Sequence, residues 1–180
     1  MGRIRMVLKT KKRIAKAFQK VVYRMGFEHT TVSKVMKECE MRRQTFYDHF
    51  YDKFDLLEWS LNNILKENVD DNLEYLSWEE IIRLTFYEID VNAKFYKDID
   101  SSQQEVDLTE VIAIHFQILL IHLLEQKKLL QNKQAQSYVE TNCIGIAGTI
   151  VHNLYSKHPR EYDDLAEKVI QAVHFTFDNY

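Results

Sequence analysis

The sequence predicts an all-α protein of about nine helices, with an N-terminal helix-turn-helix domain and a C-terminal helical domain. The 180 residues include only 4 Gly and 1 Pro, too few for the many turns of a sheet protein. Apolar residues recur three and four apart along most of the chain, which places them on one face of a helix. This length is sufficient to bury a substantial core, and no internal repeat or long linker interrupts it.

The first four helices are predicted from caps and apolar spacing. Residues 10–25 form the first, with Thr10 as its N-cap and Gly26, which tolerates a positive φ, after its end. A second, short helix begins after Thr31, and a third spans residues 43–49 after a break at residues 40–42. Asp52 caps a longer fourth helix.

The remaining helices follow a polar connection at residues 68–77. Apolar spacing predicts them at residues 78–89, 91–99, 106–127, 136–157 and 162–177. The change in charge balance near residues 50–53 sets the predicted domain boundary. The helix-turn-helix domain takes residues 1–52, and the helical domain takes residues 53–180.

The charge of the chain is strongly uneven. Residues 1–53 carry 14 Lys and Arg against 5 Asp and Glu, whereas the rest carries 10 against 22. A basic N-terminal region on an acidic body indicates that only the N-terminal region meets a polyanion. A charge run is also commonly just a solvated helix face, so this observation alone does not establish nucleic-acid binding.

The cysteines and the apolar runs point to a soluble cytoplasmic protein without a cofactor. Cys39 and Cys143 fit no metal or disulfide spacing, and each falls inside an apolar pattern. The N-terminus is basic but lacks the apolar segment of a secretory signal. The longest uncharged runs, residues 111–124 and 141–156, are too short to span a bilayer. We therefore expect no metal and no membrane association.

The two short helices and the break between them form a helix-turn-helix pattern. In that motif, buried side chains hold the second short helix while its outer face enters the major groove of DNA. Phe46 and Phe50 provide the anchor, which leaves Arg43, Gln44, Tyr47 and Asp48 pointing outward, with Arg42 at the helix entry. Arginine can donate two hydrogen bonds to guanine, and glutamine can pair with adenine. The alternative is an ordinary solvated helix start.

These residues also carry a resemblance to the TetR family of transcription regulators. The matching pattern covers roughly residues 10–60, and its core runs Thr-Phe-Tyr-x-His-Phe from Thr45 to Phe50, followed by Lys53 and the pair Leu56-Leu57. Within the family, Arg-Arg-Gln-Thr-Phe-Tyr is most similar to the group regulating dihydroxyacetone-kinase genes. The resemblance implies phosphate contacts for Thr31, Tyr47 and Lys53, and base contacts for Arg43, Gln44 and Thr45.

Further residues belong to this predicted DNA surface. Separately, the sequence departs from the family pattern at three positions. His49 matches the partly structural histidine of the signature, and charge and position add Arg42, Lys9 and Lys11 as DNA contacts. Glu40 stands where the family usually has Gly, which predicts a strained or altered turn. Arg42 replaces a small hydroxyl N-cap, a change that costs the third helix about 1 kcal/mol. Gln44 replaces a Gly or small residue, so the operator cannot be taken from relatives.

The C-terminal domain is expected to form a homodimer and to bind an unknown small-molecule or protein effector. The family pairs its last two helices with those of a second subunit. Small and apolar residues form one stripe along each of these two helices here and permit such pairing; they are Gly145, Gly148, Val151 and Tyr155 on the first, and Leu165, Val169, Ala172 and Val173, with Thr176 beside them, on the second. The alternative is that both stripes pack within one chain. Side chains of the middle helices are the candidate effector pocket: Trp59, Phe86, Tyr87, Phe95, His115, Phe116 and His122.

The function predicted from the sequence is that of a dimeric regulator, a repressor or an activator, that binds a palindromic double-stranded DNA operator under effector control. An enzyme is not expected, since the sequence contains no nucleophile elbow, no P-loop, no H-E-x-x-H and no paired Glu-x-x-His. A helical protein-interaction module with a vestigial DNA-binding domain is the remaining alternative, which the departures at Glu40 and Gln44 keep open.

Overall fold

The structure is a computed structural model that describes the backbone of residues 2–177 and the side chains of residues 5–177. Within that range it consists of nine α helices and one short 3-10 helix, Asp70–Asn72, without a strand. The helices are α1 Gly2–Met25, α2 Val32–Glu38, α3 Arg43–Tyr47, α4 Lys53–Asn68, α5 Trp78–Val91, α6 Ala93–Ser101, α7 Leu108–Gln126, α8 Lys133–Tyr155 and α9 Tyr162–Phe177. The predicted all-α fold is therefore confirmed.

Short polar side chains begin most of the later helices by accepting hydrogen bonds from backbone N–H groups that no helical carbonyl can reach. Asp52 Oδ1 accepts from the backbone N–H of Phe54 at 2.8 Å. Ser77 and Glu80 form a reciprocal capping box at the start of α5. Asp107 and Asn132 cap α7 and α8 by accepting hydrogen bonds from backbone N–H groups of the first turn.

The start of α1 differs from the prediction. Thr10 is not an N-cap, because α1 begins at Gly2 and the Thr10 hydroxyl donates to the carbonyl of Met6 inside the helix, at 3.1 Å. The basic residues before Thr10 are good helix formers, so nothing in them stops the helix. The predicted end is confirmed, since α1 ends at Met25 and Gly26 has a φ of 85°.

The first compact unit comprises the chain up to Asn62 together with Lys94–Val106. Its core is aromatic, and Phe18 packs edge-on against Phe27 and Phe95 at centroid distances of 6.1 and 6.4 Å. The Asp98 carboxylate of α6 accepts a hydrogen bond from the backbone N–H of Phe27, just after α1. Helix α6 thus belongs to the same unit as the helix-turn-helix, and the predicted boundary at residues 52 and 53 coincides with the start of α4 inside this unit.

The second compact unit comprises Asn63–Ala93 and the chain from Asp107 onward. In it α7 packs along α8, and α5 packs along α9. The Phe86 ring lies 6.3 Å from both the Phe116 and the Tyr162 ring, so these aromatics join the helices in a common core. On the surface, Arg83 and Glu167 form an ion pair at 2.6 Å between α5 and α9.

Helix α7 is the most apolar helix of the second unit. With 19 residues it is long and apolar enough to cross a membrane by length and composition alone, because the helix extends beyond the uncharged run at residues 111–124 on which the sequence prediction was based. More than half of it is buried within the protein. The core helix of a soluble protein has the same properties, and α7 carries core residues such as Ile112, Phe116 and Leu120.

Candidate nucleic-acid interface

The turn between α2 and α3 has a regular hydrogen-bonded geometry despite its non-glycine residue. The backbone N–H of Met41 donates to the carbonyl of Met36 at 2.9 Å, and that of Glu40 donates to the carbonyl of Lys37 at 3.2 Å. These two bonds define the Schellman motif, whose middle residue adopts the left-handed conformation. Glu40 occupies that position with a φ of 54°. The predicted strain at Glu40 is therefore present, and the turn is formed nonetheless.

A side chain of α1 holds the same turn from below. The guanidinium of Arg13 donates to the carbonyl of Cys39, the last residue before Glu40, at 3.3 Å. This bond joins residues 26 positions apart and supplies a donor to a carbonyl at the end of α2. Sequence reasoning missed this role of Arg13, because neither spacing nor composition indicates a contact across such a distance.

Helix α3 is anchored through its two phenylalanines, as predicted. Phe46 and Phe50 are 0% and 2% exposed, and their rings lie 5.6 Å apart. Phe50 also packs against Trp59 of α4 at 5.7 Å. Arg42 precedes the helix without a side-chain cap hydrogen bond, in agreement with the loss predicted from its sequence. The position of α3 therefore depends on its buried aromatic side rather than on its own five residues.

The opposite side of α3 is exposed and polar. It presents Arg43, Gln44, Tyr47 and Asp48, with Arg42 at the entry and Thr45 half-buried beside them. The Arg43 guanidinium donates to the Tyr47 hydroxyl at 2.9 Å and lies 5.6 Å from the centre of that ring. The Gln44 amide nitrogen donates to the Asp48 carboxylate at 3.5 Å. Both bonds join residues four apart, the spacing at which side chains of one helix face meet, so the sequence already indicates that these pairs can form.

The predicted phosphate contacts occupy different environments in the first unit. Thr31 and Lys9 are exposed, and the Thr31 hydroxyl caps α2 by accepting from the backbone N–H of Lys34 at 3.4 Å. Lys11 lies over the Phe50 ring at 4.7 Å, so this cation also covers the aromatic anchor of α3. Lys53 lies 4.3 Å from the centre of the Phe27 ring, and its ammonium donates to the Phe27 carbonyl at 3.4 Å. His49 is half-buried.

The seven predicted effector-pocket residues are divided between the two compact units. Trp59 and Phe95 belong to the first unit, and the other five belong to the second. Phe86 and Phe116 are fully buried core residues, whereas Tyr87 is 60% exposed. His115 is buried and its Nδ1 lies 2.7 Å from Asp70 Oδ1, and His122 is half-buried with its Nε2 2.9 Å from the Gln126 amide. The assignment of these residues to an effector pocket stays a prediction, because aromatic spacing is the same for core and for cavity walls.

Two open grooves of the second unit contain none of those seven residues. A groove of about 440 Å³ between α7 and α8 is lined by Ala113, Ile114, Cys143 and Ile144, with carboxylates at its edge from Asp107, Glu110 and Glu140. A second groove, of about 250 Å³, lies between α8 and α9. Its walls include Gly145, Leu165, Val169, Ala172 and Val173, all from the predicted dimer stripes.

The predicted dimer stripes differ in how much they expose. On α8, Gly145 and Tyr155 are exposed, and Gly148 and Val151 are half-buried. A Cβ atom added at Gly145 or Gly148 would meet nothing within 4 Å, so both positions face open space. On α9, however, Leu165, Val169 and Val173 are at most 9% exposed, because α9 turns that side toward the interior of its own unit. The α9 stripe is therefore mostly filled within the chain, and Ala172 is its exposed member.

The titratable groups of the described residues do not suggest a reactive centre. Burial raises the pKa of the Cys143 thiol to about 12, and it also raises the pKa of Cys39, where the Arg13 charge partly offsets it. Burial likewise raises the pKa of the Tyr162 hydroxyl. Among the side chains that the structure describes, no three His, Cys, Asp or Glu residues are arranged to hold a metal ion.

A helix-turn-helix with a buried aromatic anchor and a polar outer face defines a class of DNA-binding domain, and one family of such domains matches this part of the chain. Residues 14–58 match the family described as bacterial regulatory proteins, tetR family. This match covers the helix-turn-helix domain, about a quarter of the chain, and there it confirms the resemblance predicted from the sequence.

Two individual proteins are similar to this chain. The HTH-type dhaKLM operon transcriptional activator DhaS of Lactococcus lactis subsp. lactis (strain IL1403) is 36% identical over 90 residues. That alignment covers 50% of this chain and 48% of the relative, so the chain spans about half the length of the curated relative it matches. A solved structure described as dihydroxyacetone kinase operon activator DhaS has a TM-score of 0.80 and 23% identity, and covers 95% of this chain and 97% of its own. At that identity the structural likeness establishes the fold.

Proposed function

We propose that this protein is a cytoplasmic transcription regulator that binds a palindromic DNA operator as a homodimer and responds to an effector. The observation that carries the proposal is α3, whose buried Phe46 and Phe50 leave Arg43 and Gln44 exposed on the opposite side. Such a helix fits the major groove of DNA, where arginine pairs with guanine and glutamine with adenine. The 14 basic residues among the first 53 support contact with phosphate.

The geometry of the turn weighs against the alternative of a vestigial DNA-binding domain. That alternative rested on Glu40 and Gln44, where the sequence departs from the family pattern. The Schellman hydrogen bonds around Glu40 are formed, and Gln44 lies exposed on the reading face. Neither departure removes a part that DNA binding needs. The activator named among the relatives supports regulation of transcription as the role of such a domain here.

Selection from a pool of random duplex DNA tests the proposal directly. We expect the protein to enrich a palindrome whose half-sites lie about one helical turn apart, roughly 34–36 Å. Arg43→Ala should relax base preference at one position in each half-site, because arginine and guanine form a bidentate contact. Enrichment of no sequence, or an unchanged profile in Arg43→Ala, would contradict the assignment of α3 as the reading helix.

Lys53→Ala serves as the contrasting variant. As a phosphate contact, Lys53 should weaken binding to every sequence and lower the salt dependence by about one unit of slope. The ammonium also packs on Phe27, so the thermal stability of this variant must be measured beside its affinity. A changed sequence preference with an unchanged salt slope would show that Lys53 has a different role.

For the homodimer, we propose contacts made by α8 around Gly145 and Gly148 and by the exposed Ala172 of α9. Gly145→Arg provides the test, because a side chain added at Gly145 meets open space within the chain and should leave the subunit folded. We expect this variant to be monomeric in sedimentation and to bind the operator weakly. Glu140→Arg is the matched control, since Glu140 is exposed on another side of α8, about 140° away by helical geometry. A dimeric Gly145→Arg would place the interface elsewhere.

For the effector, we propose the second unit as its site of action. The groove between α7 and α8 provides about 440 Å³, and its lining combines apolar side chains with three carboxylates. Such a volume suits a small molecule or an inserted side chain of a protein effector. Ala113→Trp, which fills this groove, should abolish the effect of an effector on operator binding without changing operator affinity in its absence. An unchanged response would exclude this groove.

A further inference from the structure

The reading face of α3 contains two side-chain pairs with the same spacing. Arg43 donates to the Tyr47 hydroxyl at 2.9 Å, and Gln44 donates to the Asp48 carboxylate at 3.5 Å. In each pair the residue from the first turn is the base reader of the proposed function. Its partner follows four residues later, one turn further along the same helix face. Each reader is thus held from the C-terminal end of α3.

The charge of Asp48 makes the second pair unexpected for a DNA-binding helix. Asp48 is the single acidic residue between Met41 and Tyr51, and its side chain is exposed on the face that meets DNA in the proposed function. A carboxylate there is repelled by the phosphates and weakens binding to every sequence. The structure pairs it with an uncharged amide. Asp48 therefore needs a role that offsets this repulsion.

We propose that Asp48 is a positioning residue that fixes the amide orientation of Gln44 for adenine. The amide nitrogen of glutamine has two N–H donors, and its oxygen is an acceptor. With one N–H held by Asp48, the second N–H donates to adenine N7, and the oxygen accepts from the adenine amino group. A glutamine without this partner rotates its amide and also presents donors alone, which suit the two acceptors of guanine. Asp48 thus lowers the affinity for DNA of every sequence but increases the preference for adenine.

This inference rests on the proposed function, and its test keeps the two separable. Random-sequence selection is carried out with the native protein, Gln44→Ala, Asp48→Ala and Asp48→Asn. Asp48→Asn is the matched control, because the asparagine oxygen still accepts from Gln44 while the charge is removed. Affinity for duplex DNA of random sequence is measured for all four proteins at low and at high salt.

We expect the native protein to prefer adenine at one position in each half-site, and we expect Gln44→Ala to lose the base preference at that position. At that position Asp48→Ala should reduce the preference for adenine about five- to tenfold, which is the lower part of the range of base discrimination by a bidentate contact. Asp48→Asn should retain the preference. Both Asp48 variants should bind random-sequence DNA about two- to fivefold more tightly at low salt, and the gain should shrink at high salt. A purely structural role of Asp48 would not produce this combination.

Three outcomes overturn the inference while the proposed function stands. Asp48→Ala leaves the selected site unchanged, or it changes a position other than that of Gln44, as direct reading of cytosine would. In the third outcome, Asp48→Asn loses adenine preference as completely as Asp48→Ala. If the native protein enriches no site at all, the proposed function and this inference both fail.

Discussion

Glu40 offers a measurement of backbone strain inside the helix-turn-helix. Its φ of 54° lies in the left-handed region, which costs a residue with a side chain roughly 1–2 kcal/mol. Glycine avoids this cost but loses about 0.5–1 kcal/mol more backbone entropy on folding. Glu40→Gly should therefore stabilise the protein by about 0.5–1 kcal/mol. For a chain of this size, that gain raises the Tm by about 1–4 °C.

The chain provides a matched control for this substitution. Lys128 ends α7 with the same Schellman hydrogen bonds, at 3.0 and 2.8 Å, and has a φ of 59°. Lys128→Gly should stabilise by a similar amount although it lies outside the predicted DNA surface. Glu40→Gln keeps the strained backbone and removes only the charge, so its stability should stay within about 0.5 kcal/mol of the parent.

Calorimetry and DNA binding together separate strain from charge at Glu40. Unfolding is compared at one fixed protein concentration, because the proposed dimerisation would make the Tm depend on concentration. Glu40→Gly and Glu40→Gln should strengthen binding to random-sequence DNA equally, since each removes one negative charge near α3. A lower Tm for both glycine variants would refute the strain argument. A lower Tm for Glu40→Gly alone would show that the Glu40 side chain contributes a stabilising contact.

Three further predictions concern caps, thiols and a buried pair. Ser77→Ala removes the hydroxyl part of the capping box, which accepts from the backbone N–H of Glu80 at 3.3 Å, and should destabilise the protein by about 1 kcal/mol. The backbone N–H and, second, the hydroxyl of Ser77 lower the pKa of Glu80, and only the hydroxyl is lost in the variant. The part of its effect that acts through the Glu80 carboxylate is present above the unfolded-state pKa and is lost as pH falls through the folded-state pKa, so the difference in Tm between variant and parent should narrow in acid. With a pKa of about 12, the Cys143 thiol should be alkylated at neutral pH only after denaturant is added, and rapid labelling of native protein would contradict its burial. Asp70→Ala leaves the buried His115 ring without its 2.7 Å partner and should cost about 1–3 kcal/mol in urea unfolding, whereas Asp70→Asn, which keeps an acceptor, should cost less; equal losses would indicate that charge, not the hydrogen bond, matters.

Local signals predicted the local structure well. The Thr31 cap, the Gly26 stop and the bounds of α9 follow from residues within one or two turns of the feature itself. The anchor of α3 was predictable for the same reason, because Phe46 and Phe50 are four apart on a short helix. Thr10 failed as a cap because a threonine hydroxyl also bonds to the carbonyl four residues earlier inside a helix, and sequence does not distinguish the two uses.

Contacts between segments far apart in the chain could not be predicted from the sequence. The bond between Asp98 and Phe27 joins residues 71 apart and brings α6 into the helix-turn-helix unit. The charge change near residue 53 could not reveal this, since it reports composition along the chain rather than packing. The dimer contacts predicted for α9 stay a prediction for a similar reason, because Leu165 and Val173, both buried in this chain, have the same spacing whether they face a second subunit or their own core.

The construction of α3 separates the residues that hold it in place from the exposed residues that we propose to read DNA. Five residues without a side-chain cap are too short to form a stable helix alone, so its position comes from Phe46, Phe50 and the turn that Arg13 supports. Truncating Phe46 should cost about 3–5 kcal/mol and remove binding to all sequences. Substituting the exposed Gln44 should change stability by no more than about 0.5 kcal/mol while altering the preferred operator. The exposed face that we propose to read DNA can therefore change by substitution without loss of the fold that presents it.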